Sequence, residues 1–372
     1  MPRHHARLTI ALTLTLAALA APAHAEDPQP QTVRLAFSGD IALMKNKQGT
    51  SADPIPWERN RLRFVAPLFK RADLAIVNFE GVMTREPRNL HSGHLWSPLE
   101  GASIFKPAHV QLVGLANNHA NDSGADGLAQ TMGALEGQGL ATIGAGDSAE
   151  RAYQPYIHPV GDRCVAVLPA VLWSNRPVRG AMHLAQYNPL HDDSEDRLVA
   201  NVRAARARCD LVVVYIHWGL EFRHRPHKAM RDLAHKAVQA GAGLVVGHHP
   251  HVLQGVEFID DAAVVYSLGN FVFPNTRRFS EPRVRTGGVL LAEVDMASST
   301  PHLVSLALAP TLIEPRELAP VPLDNHRQRA RLRDDLERWS QGFNTRVVLK
   351  DDGLIHFSPL QHNAVEKTSA RP

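Results

Sequence analysis

Three histidines within four positions make residues 243–251 the strongest chemical signal in the chain. The run Gly-Leu-Val-Val-Gly-His-His-Pro-His places His248, His249 and His251 directly after a short apolar stretch. A buried imidazole has two ring nitrogens that need partners, and one metal ion can bind nitrogens from several rings at once. In an extended chain His249 and His251 point to the same side, so we expect them to share one metal site, with His248 facing away in a supporting role.

Further polar residues follow other apolar runs, at the points where strands should end. They are Asp40, Asn78, Glu80, Asn117, Asn118, His119, His217, Glu221 and Asn270. Carboxylate, imidazole and amide ligands suit divalent ions such as Mn, Fe, Zn or Mg. Two such ions about 3.5 to 4 Å apart can hold a water as hydroxide and bind two oxygens of a phosphoryl or carbonyl centre. The sequence therefore predicts a divalent-metal centre, of two ions, assembled from separate strand ends.

The elements that position these residues alternate between strands and helices. Continuous apolar runs, typical of strands covered on both faces, occur at residues 33–37, 74–77, 110–115, 211–216, 244–246 and 264–266. Apolar residues at helical spacing predict helices over 123–139 and 227–240. A further strand over 303–308 and a charged helix over 326–342 are expected near the carboxyl terminus. This order indicates an α/β architecture, in which ligands bind beyond the carboxyl ends of the strands.

Six segments of the chain resemble, in order, the signatures of the CapA family of bacterial capsule and poly-γ-glutamate synthesis proteins. They are Phe37-Ser-Gly-Asp40, Asp73-Leu-Ala-Ile-Val-Asn-Phe-Glu-Gly81, Ala116-Asn-Asn-His-Ala-Asn-Asp-Ser-Gly124, His217-Trp-Gly-Leu-Glu221, Gly247-His-His-Pro-His-Val-Leu-Gln254 and Tyr266-Ser-Leu-Gly-Asn-Phe271. Six ordered matches are far more specific than any one of them. That family is similar to calcineurin-like metallophosphoesterases. The resemblance therefore implies a sandwich of two β-sheets flanked by helices, with a two-metal site at the strand ends.

The resemblance also implies roles for individual residues. It identifies the metal ligands as Asp40, Glu80 (the bridging carboxylate), Asn118, His217, His249 and His251, with Asn78, Asn117, Glu221, His248 and Asn270 in supporting or substrate contacts. His119 matches the residue that protonates the leaving group in phosphoesterases. The chain departs from the phosphoesterase pattern at Ala42, where those enzymes have a histidine, and at Glu80, where they have aspartate. Whether one metal site is short of a ligand stays open, and phosphatase activity does not follow from the fold.

From the residues alone, three of these assignments have alternatives. Either Asn117 or Asn118 could cap the helix that begins near Asp122, since asparagine accepts hydrogen bonds from free amides there. Glu221 could be a surface acid rather than a partner of the site. Asn270 could serve a backbone turn instead of a substrate contact.

The first 25 residues predict export rather than a membrane anchor. Arg3 and Arg7 give a basic start, residues 8–20 are uncharged and apolar, and Ala23-His-Ala25 fits the pattern before a cleavage point. The apolar run is shorter than the roughly 20 residues that a spanning helix needs. We therefore expect cleavage near Ala25 and a periplasmic or secreted mature protein.

Composition and charge restrict the class of partner. The chain has 40 basic and 37 acidic residues, a net charge of +3, and loss of Arg3 and Arg7 leaves 38 against 37, about +1. No strong positive field remains, so we expect no nucleic-acid partner. Cys164 and Cys209 are the two cysteines; an oxidising compartment permits a disulfide, but both could equally be buried thiols.

These observations predict four parts and two alternative functions. The parts are a signal peptide at 1–25, a leader at 26–32, a CapA-type domain at 33–300, and a strand and helix extension at 301–372 that packs on the domain and ends in a frayed tail. The residues favour a metal-dependent hydrolase that cleaves a phosphoester, or an amide or polymer bond of an envelope polymer. The family resemblance favours a non-catalytic accessory that binds an anionic polymer, with capsule-synthesis proteins of the membrane as partners.

Overall fold

The computed structural model describes residues 1, 32–43, 61–85, 93–188, 190, 193–274, 281–298 and 300–360. The predicted signal peptide, the predicted leader before Thr32 and the tail after residue 360 lie outside this part of the chain, apart from Met1. No helix in the described ranges combines the length and the apolar character needed to cross a membrane.

Strands and helices alternate through the first two thirds of the described chain. The strands are β1 (Thr32–Ile41), β2 (Leu74–Phe79), β3 (Val82–Met83), β4 (Trp96–Ser97), β5 (Leu112–Gly114), β6 (Ala141–Ile143), β7 (Ala145–Gly146), β8 (Tyr156–Val160), β9 (Arg163–Val171), β10 (His183–Leu184), β11 (Leu211–His217), β12 (Leu244–His248), β13 (Val256–Ile259), β14 (Ala262–Val265), β15 (Asn270–Val272), β16 (Thr286–Asp295), β17 (His302–Glu314), β18 (Ala319–Pro322), β19 (Thr345–Leu349) and β20 (Ile355–Pro359). The α-helices are α1 (Ala66–Phe69), α2 (Gly124–Gly137), α3 (Ala149–Tyr153), α4 (Ser194–Arg206), α5 (Lys228–Gln239), α6 (Pro282–Arg285) and α7 (His326–Trp339). The predicted helices over 123–139, 227–240 and 326–342 correspond to α2, α5 and α7.

Two sheets carry most of these strands. The larger has the order β19-β20-β17-β16-β1-β2-β5-β6, with β15 beside β1 and β18 beside β17. The smaller has the order β13-β14-β12-β11-β9-β8. β1, β2, β5 and β6 run parallel to one another, as do β9, β11, β12 and β14. Their carboxyl ends therefore collect at one edge of each sheet.

Successive side chains of the central strands point to opposite faces of the sheet, which explains why there are two layers of core. Phe37 in β1 and Tyr215 in β11 belong to the core between the two sheets, where their rings stack with centroids 6.1 Å apart. Ala36 and Val214, one residue away, belong instead to the core formed with the helices. Because both faces are covered, β2, β11 and β12 are buried along their whole length. The predicted α/β sandwich with flanking helices is confirmed.

The strands extend further into the polar residues than predicted. β1 continues through Asp40, which pairs with Asn78 of β2 and Asn270 of β15. β11 and β12 likewise include His217 and His248, which face each other across the two strands. The apolar pattern underestimates the length of these strands, because a polar side chain at the end of a strand does not interrupt the backbone hydrogen bonds.

The residues after 300 complete the larger sheet. β17 runs antiparallel to β16 and also pairs with β20. Leu332 and Leu336 of α7 are buried in the core between the sheets. A disulfide joins Cys164, at the start of β9, to Cys209, just before β11, which resolves the alternatives that the sequence left open.

We expect Gly39→Ala to lower the free energy of unfolding by about 2 kcal/mol or more, because there is no room for the added methyl group. A Cβ at position 39 would lie 2.1 Å from the backbone oxygen of Gly269, where β15 approaches β1. Urea denaturation followed by tryptophan fluorescence measures the change.

Gly133→Ala is the matched control for this substitution. Apart from its chain neighbours and the backbone of its own helix, no atom of the described residues lies within 4 Å of a Cβ at position 133, which is inside α2. Alanine there should raise the free energy of unfolding by up to about 1 kcal/mol. Equal effects of the two substitutions would contradict the close approach of β15 to β1.

Candidate metal centre

Five buried side chains from both sheets converge at the carboxyl ends of the central strands. One group contains Asp40 of β1, Glu80 after β2, and His251 after β12. A second group contains Glu80 again, with His217 of β11 and His249 after β12. Within each group the ligand atoms all lie within 4.8 Å of one another, and every one of these side chains is at most 4% exposed. The structure thus brings together residues that could hold a metal ion, with Glu80 common to both groups.

Glu80 has no hydrogen-bond partner for either carboxylate oxygen among the described residues, although both oxygens are buried. Oε1 lies 3.7 Å from His251 Nε2 and 4.0 Å from His217 Nε2. Burial, and after it the charge of Asp40, raises the pKa of Glu80 well above its ordinary value. A buried carboxylate without partners, facing imidazole nitrogens at these distances, leaves space for a cation between them. The residues present therefore fit a metal ion.

Asp40 is held by neighbours that stabilise its negative charge. Asn78 Nδ2 donates to Oδ1 over 2.7 Å, and the backbone N–H of His249 donates to Oδ2 over 3.1 Å. His248 Nδ1 lies 3.4 Å from Oδ1. Burial raises the pKa of Asp40, but the approach of His248, with the other nearby histidines, outweighs burial and holds the pKa below its ordinary value. Asp40 is therefore the ionised member of the carboxylate pair.

Asn270 fixes the orientation of His251. Its Nδ2 donates to the backbone oxygen of Val284 over 2.9 Å, which leaves Oδ1 to accept from His251 Nδ1, also over 2.9 Å. The hydrogen-bond network thus assigns the proton of His251 to Nδ1 and directs Nε2 towards Glu80. Asn270 therefore orients one of the side chains of the candidate centre through its own side-chain amide.

Burial favours the uncharged imidazole of both histidines in the second ligand group, which is the form that binds a metal ion. Burial, followed by the charge of His249, lowers the pKa of His217 well below its ordinary value. Burial, followed by the charge of His251, lowers the pKa of His249 to about 3. Asn118 Oδ1 lies 2.9 Å from His217 Nε2, so the predicted amide ligand is in the same pocket.

The backbone around Pro250 differs from the extended conformation that we predicted. His249 has a φ of 96° and His251 a φ of 56°, so both lie in the left-handed region. Their ring centroids are 5.7 Å apart, and the rings belong to different ligand groups rather than to one shared site. The extended geometry is wrong here because side chains alternate only along an extended chain. Strained backbone of this kind is concentrated at functional sites.

His119 lies at the rim of the pocket and is paired with an aspartate that the sequence analysis missed. His119 Nδ1 is 2.8 Å from Asp122 Oδ2, and Nε2 is 3.9 Å from Glu80 Oε1. Asp122 is fully buried and also accepts a hydrogen bond from the backbone N–H of Leu95. Asn175 Nδ2 approaches His119 Nε2 at 3.3 Å from the loop after β9. The three-residue spacing of His119 and Asp122 was a usable signal, whereas nothing in the sequence pointed to Asn175.

Asn117 and Asn118 do not cap the following helix. α2 begins after Ser123, and no side chain caps it. Asn117 instead donates to the backbone oxygen of Phe79 over 2.7 Å and accepts from the backbone N–H of His119 over 3.2 Å. This asparagine therefore ties the loop after β5 to the end of β2.

Glu221 is half-buried and is not an isolated surface acid. Its charge contributes to the raised pKa of Glu80 and acts on His251 as well. The loop after β11 therefore brings a third acidic group to the side of the pocket where Glu80 and His251 meet.

Comparisons with known proteins agree with the resemblance of the motifs. A family model described as bacterial capsule synthesis protein PGA_cap matches residues 34–275. The PGA biosynthesis protein CapA of Bacillus subtilis is 30% identical over 302 residues, which are 74% of this chain and 76% of that protein. A probable polyglutamine synthesis accessory protein of Mycobacterium tuberculosis is 26% identical over 343 residues, 87% of each chain. Among solved structures, the calcineurin-like phosphoesterase YfkN of Bacillus subtilis has a TM-score of 0.48 and 12% identity, over 84% of this chain and 96% of that chain.

We expect Glu80→Gln to abolish stabilisation by metal ions without weakening the metal-free protein. Mn²⁺ or Zn²⁺ at a thousand times its dissociation constant should raise the free energy of unfolding of the unchanged protein by about 4 kcal/mol. Glutamine removes the carboxylate charge common to both ligand groups. It also removes the cost of burying a carboxylate that has no hydrogen-bond partner among the described residues. Thermal unfolding with and without metal, together with elemental analysis, measures both effects.

Glu100→Gln serves as the control, because Glu100 is exposed and lies outside both ligand groups. This variant should keep the full metal-dependent rise. An equal rise in the Glu80→Gln protein would show that the metal binds elsewhere.

Proposed function

Because the chain belongs to the bacterial capsule synthesis protein PGA_cap family, we propose that it acts in the synthesis of an anionic capsule polymer as a metal-dependent hydrolase. The single observation that carries the hydrolase proposal is the position of Glu80. Its carboxylate has no hydrogen-bond partner among the described residues and is shared by two groups of ligands. We propose two divalent ions, drawn from Mn, Fe, Zn or Mg, as the occupants. Each group supplies three side chains, which is typical of catalytic rather than structural sites.

Some residues would bind the ions, and others would orient those ligands. Asp40, Glu80 and His251 would hold one ion, and Glu80, His217 and His249 the other, with the amide oxygen of Asn118 beside His217. When bound, such ions supply positive charge for the oxygens of the substrate and lower the pKa of water. Asn78 and Asn270 keep Asp40 and His251 in position. The carboxylate and imidazole atoms would therefore need no large movement to bind the ions.

We infer that His119 transfers a proton to the leaving group. Asp122 accepts the hydrogen on Nδ1, which leaves Nε2 directed at the pocket near Glu80. Because the buried carboxylate of Asp122 contacts Nδ1, it also stabilises the charged imidazole that forms when His119 takes up a proton. Proton transfer through Nε2 to a leaving oxygen or nitrogen completes the hydrolysis of a phosphoester or an amide.

The names of the relatives suggest the class of substrate. One relative is a PGA biosynthesis protein and another a probable polyglutamine synthesis accessory protein. We propose that the substrate is a phosphoester or a polymer bond of such an anionic envelope polymer, and that membrane proteins of capsule synthesis are partners. The word accessory in the second name favours a further candidate function, in which the same pocket binds the polymer without cleaving it.

We expect metal-dependent turnover that His119→Ala lowers by about 10²- to 10⁴-fold, with the bound metal unchanged. Asp122→Asn should lower turnover as well, because an amide can no longer hold the same tautomer of His119. The assay uses bis-p-nitrophenyl phosphate, p-nitrophenyl phosphate and poly-γ-glutamate, each with added Mn²⁺, Zn²⁺ or Mg²⁺.

His326→Ala is the control, since His326 is exposed at the start of α7. This variant should retain full turnover. Stoichiometric metal without turnover of any of the three substrates would rule out the hydrolase and leave the accessory function.

We also propose that the protein is exported and that the mature chain begins near Glu26. The Cys164–Cys209 disulfide supports this proposal, because structural disulfides persist in oxidising compartments and are rare in the cytosol. The basic and apolar residues before Ala25 have the composition of a signal peptide.

Mass spectrometry of the protein from fractionated cells measures its amino terminus and its thiols. We expect a chain that starts near Glu26 in the periplasmic or secreted fraction, with both cysteines oxidised. A chain that retains Met1 and remains in the membrane fraction would contradict cleavage.

A further inference from the structure

A cleft separate from the metal centre lies between α7 and the segment around α6. It has a volume of about 410 Å³, and we call it the basic cleft; its defining residues are Leu253, Arg283, Arg285, Arg331, Leu332 and Trp339. Its walls are mostly apolar, and three guanidinium groups line it. α6 and α7 lie beyond residue 275, where the match to the family ends. The basic cleft is therefore not built by the matched region alone.

The basic cleft carries an excess of positive charge. Arg283 is paired with Glu281 at 2.6 Å, and the lining acid Asp335 is paired with Arg338. Among the described residues, the side chain of Arg285 donates only to the backbone oxygen of Ile313, over 3.0 Å and 2.8 Å, and pairs with no carboxylate.

Arg331 is exposed, and within the described ranges it has neither a hydrogen bond nor an ion pair. Two guanidinium groups, those of Arg285 and Arg331, thus line the cavity without a carboxylate partner in the part of the chain that the structure describes. Guanidinium groups bind carboxylate and phosphate well.

The walls of the basic cleft are held in place by contacts that do not require a ligand. The rings of His224 and Trp339 stack with centroids 4.0 Å apart and an interplanar angle of 8°. His224 Nδ1 lies 3.0 Å from the backbone oxygen of Leu253. Arg225 donates to the backbone oxygens of Arg338 and Gln341, which fastens the end of α7 to the loop after β11. A site formed in advance loses little conformational entropy when it binds.

We propose that the basic cleft binds a small amphipathic anion, with its carboxylate or phosphate between Arg285 and Arg331 and its apolar body against Leu332 and Trp339. Apolar walls with a few convergent charged groups are typical of small-molecule sites, and the volume is within their range. This inference does not depend on hydrolysis at the metal centre.

The probe is 8-anilino-1-naphthalenesulfonate, an aromatic anion whose fluorescence rises on binding, and the protein is the full chain. We expect Arg331→Gln to weaken its binding about tenfold, which corresponds to the loss of one charge-assisted contact. Gln328→Glu, which adds a negative charge to the same wall, should also weaken binding. N-phenyl-1-naphthylamine, a similar aromatic body without charge, should bind at least tenfold less tightly than the anion.

Arg327→Gln is the matched control, because Arg327 is exposed on the same helix and does not line the basic cleft. It should leave the affinity unchanged. Equal binding by the unchanged and Arg331→Gln proteins, equal loss in the Arg327→Gln protein, or equal binding of the uncharged probe would each overturn the proposal. Sedimentation with phosphatidylglycerol vesicles that depends on Arg331, without any effect on the anionic probe, would instead identify a lipid contact and also overturn it.

Discussion

The carboxylate of Glu80, buried and without a hydrogen-bond partner in the described part of the chain, is the constraint on which the arrangement of the metal centre depends. Both oxygens of Glu80 are enclosed, and the nearest ionisable groups are imidazoles and other carboxylates. Withdrawing a charge of this kind from water is costly unless a proton or a cation compensates it. Burial lowers the pKa of His217 and His249, so these imidazoles favour the uncharged form and do not supply the compensating positive charge. A cation is the partner that suits all of these groups together.

Residues from both sheets form the pocket around the Glu80 carboxylate. Asp40 and Glu80 come from the larger sheet, whereas His217, His249 and His251 come from the smaller one. The centre therefore lies where the carboxyl ends of the two parallel sets of strands meet, at the end of the core that Phe37 and Tyr215 share. Packing between the sheets positions the ligands, so a change in that packing also moves the ligand atoms relative to one another.

The strand ends were predictable because two features coincide there. A continuous apolar run indicates a strand covered on both faces, and a polar residue after it falls at the edge where ligands collect, as for Asp40 and His217. The left-handed backbone conformation of His249 and His251 was not predictable, since nothing in the residue types indicates a positive φ at these positions. Asn175 could not be found either, because its contact with His119 joins positions far apart in the chain.

The pairing of β1 has a consequence for the integrity of the region that matches the family. Seven residues of β1 pair with β16, which follows residue 275, whereas β15 pairs with β1 only near Asp40 and Ile41. A fragment ending at residue 275 would lose β16 and expose most of one side of β1 as an open edge. Such an edge invites strands from other molecules and leads to aggregation. The matched region is therefore not a separable module, and any shortened version must retain the strands that shield β1.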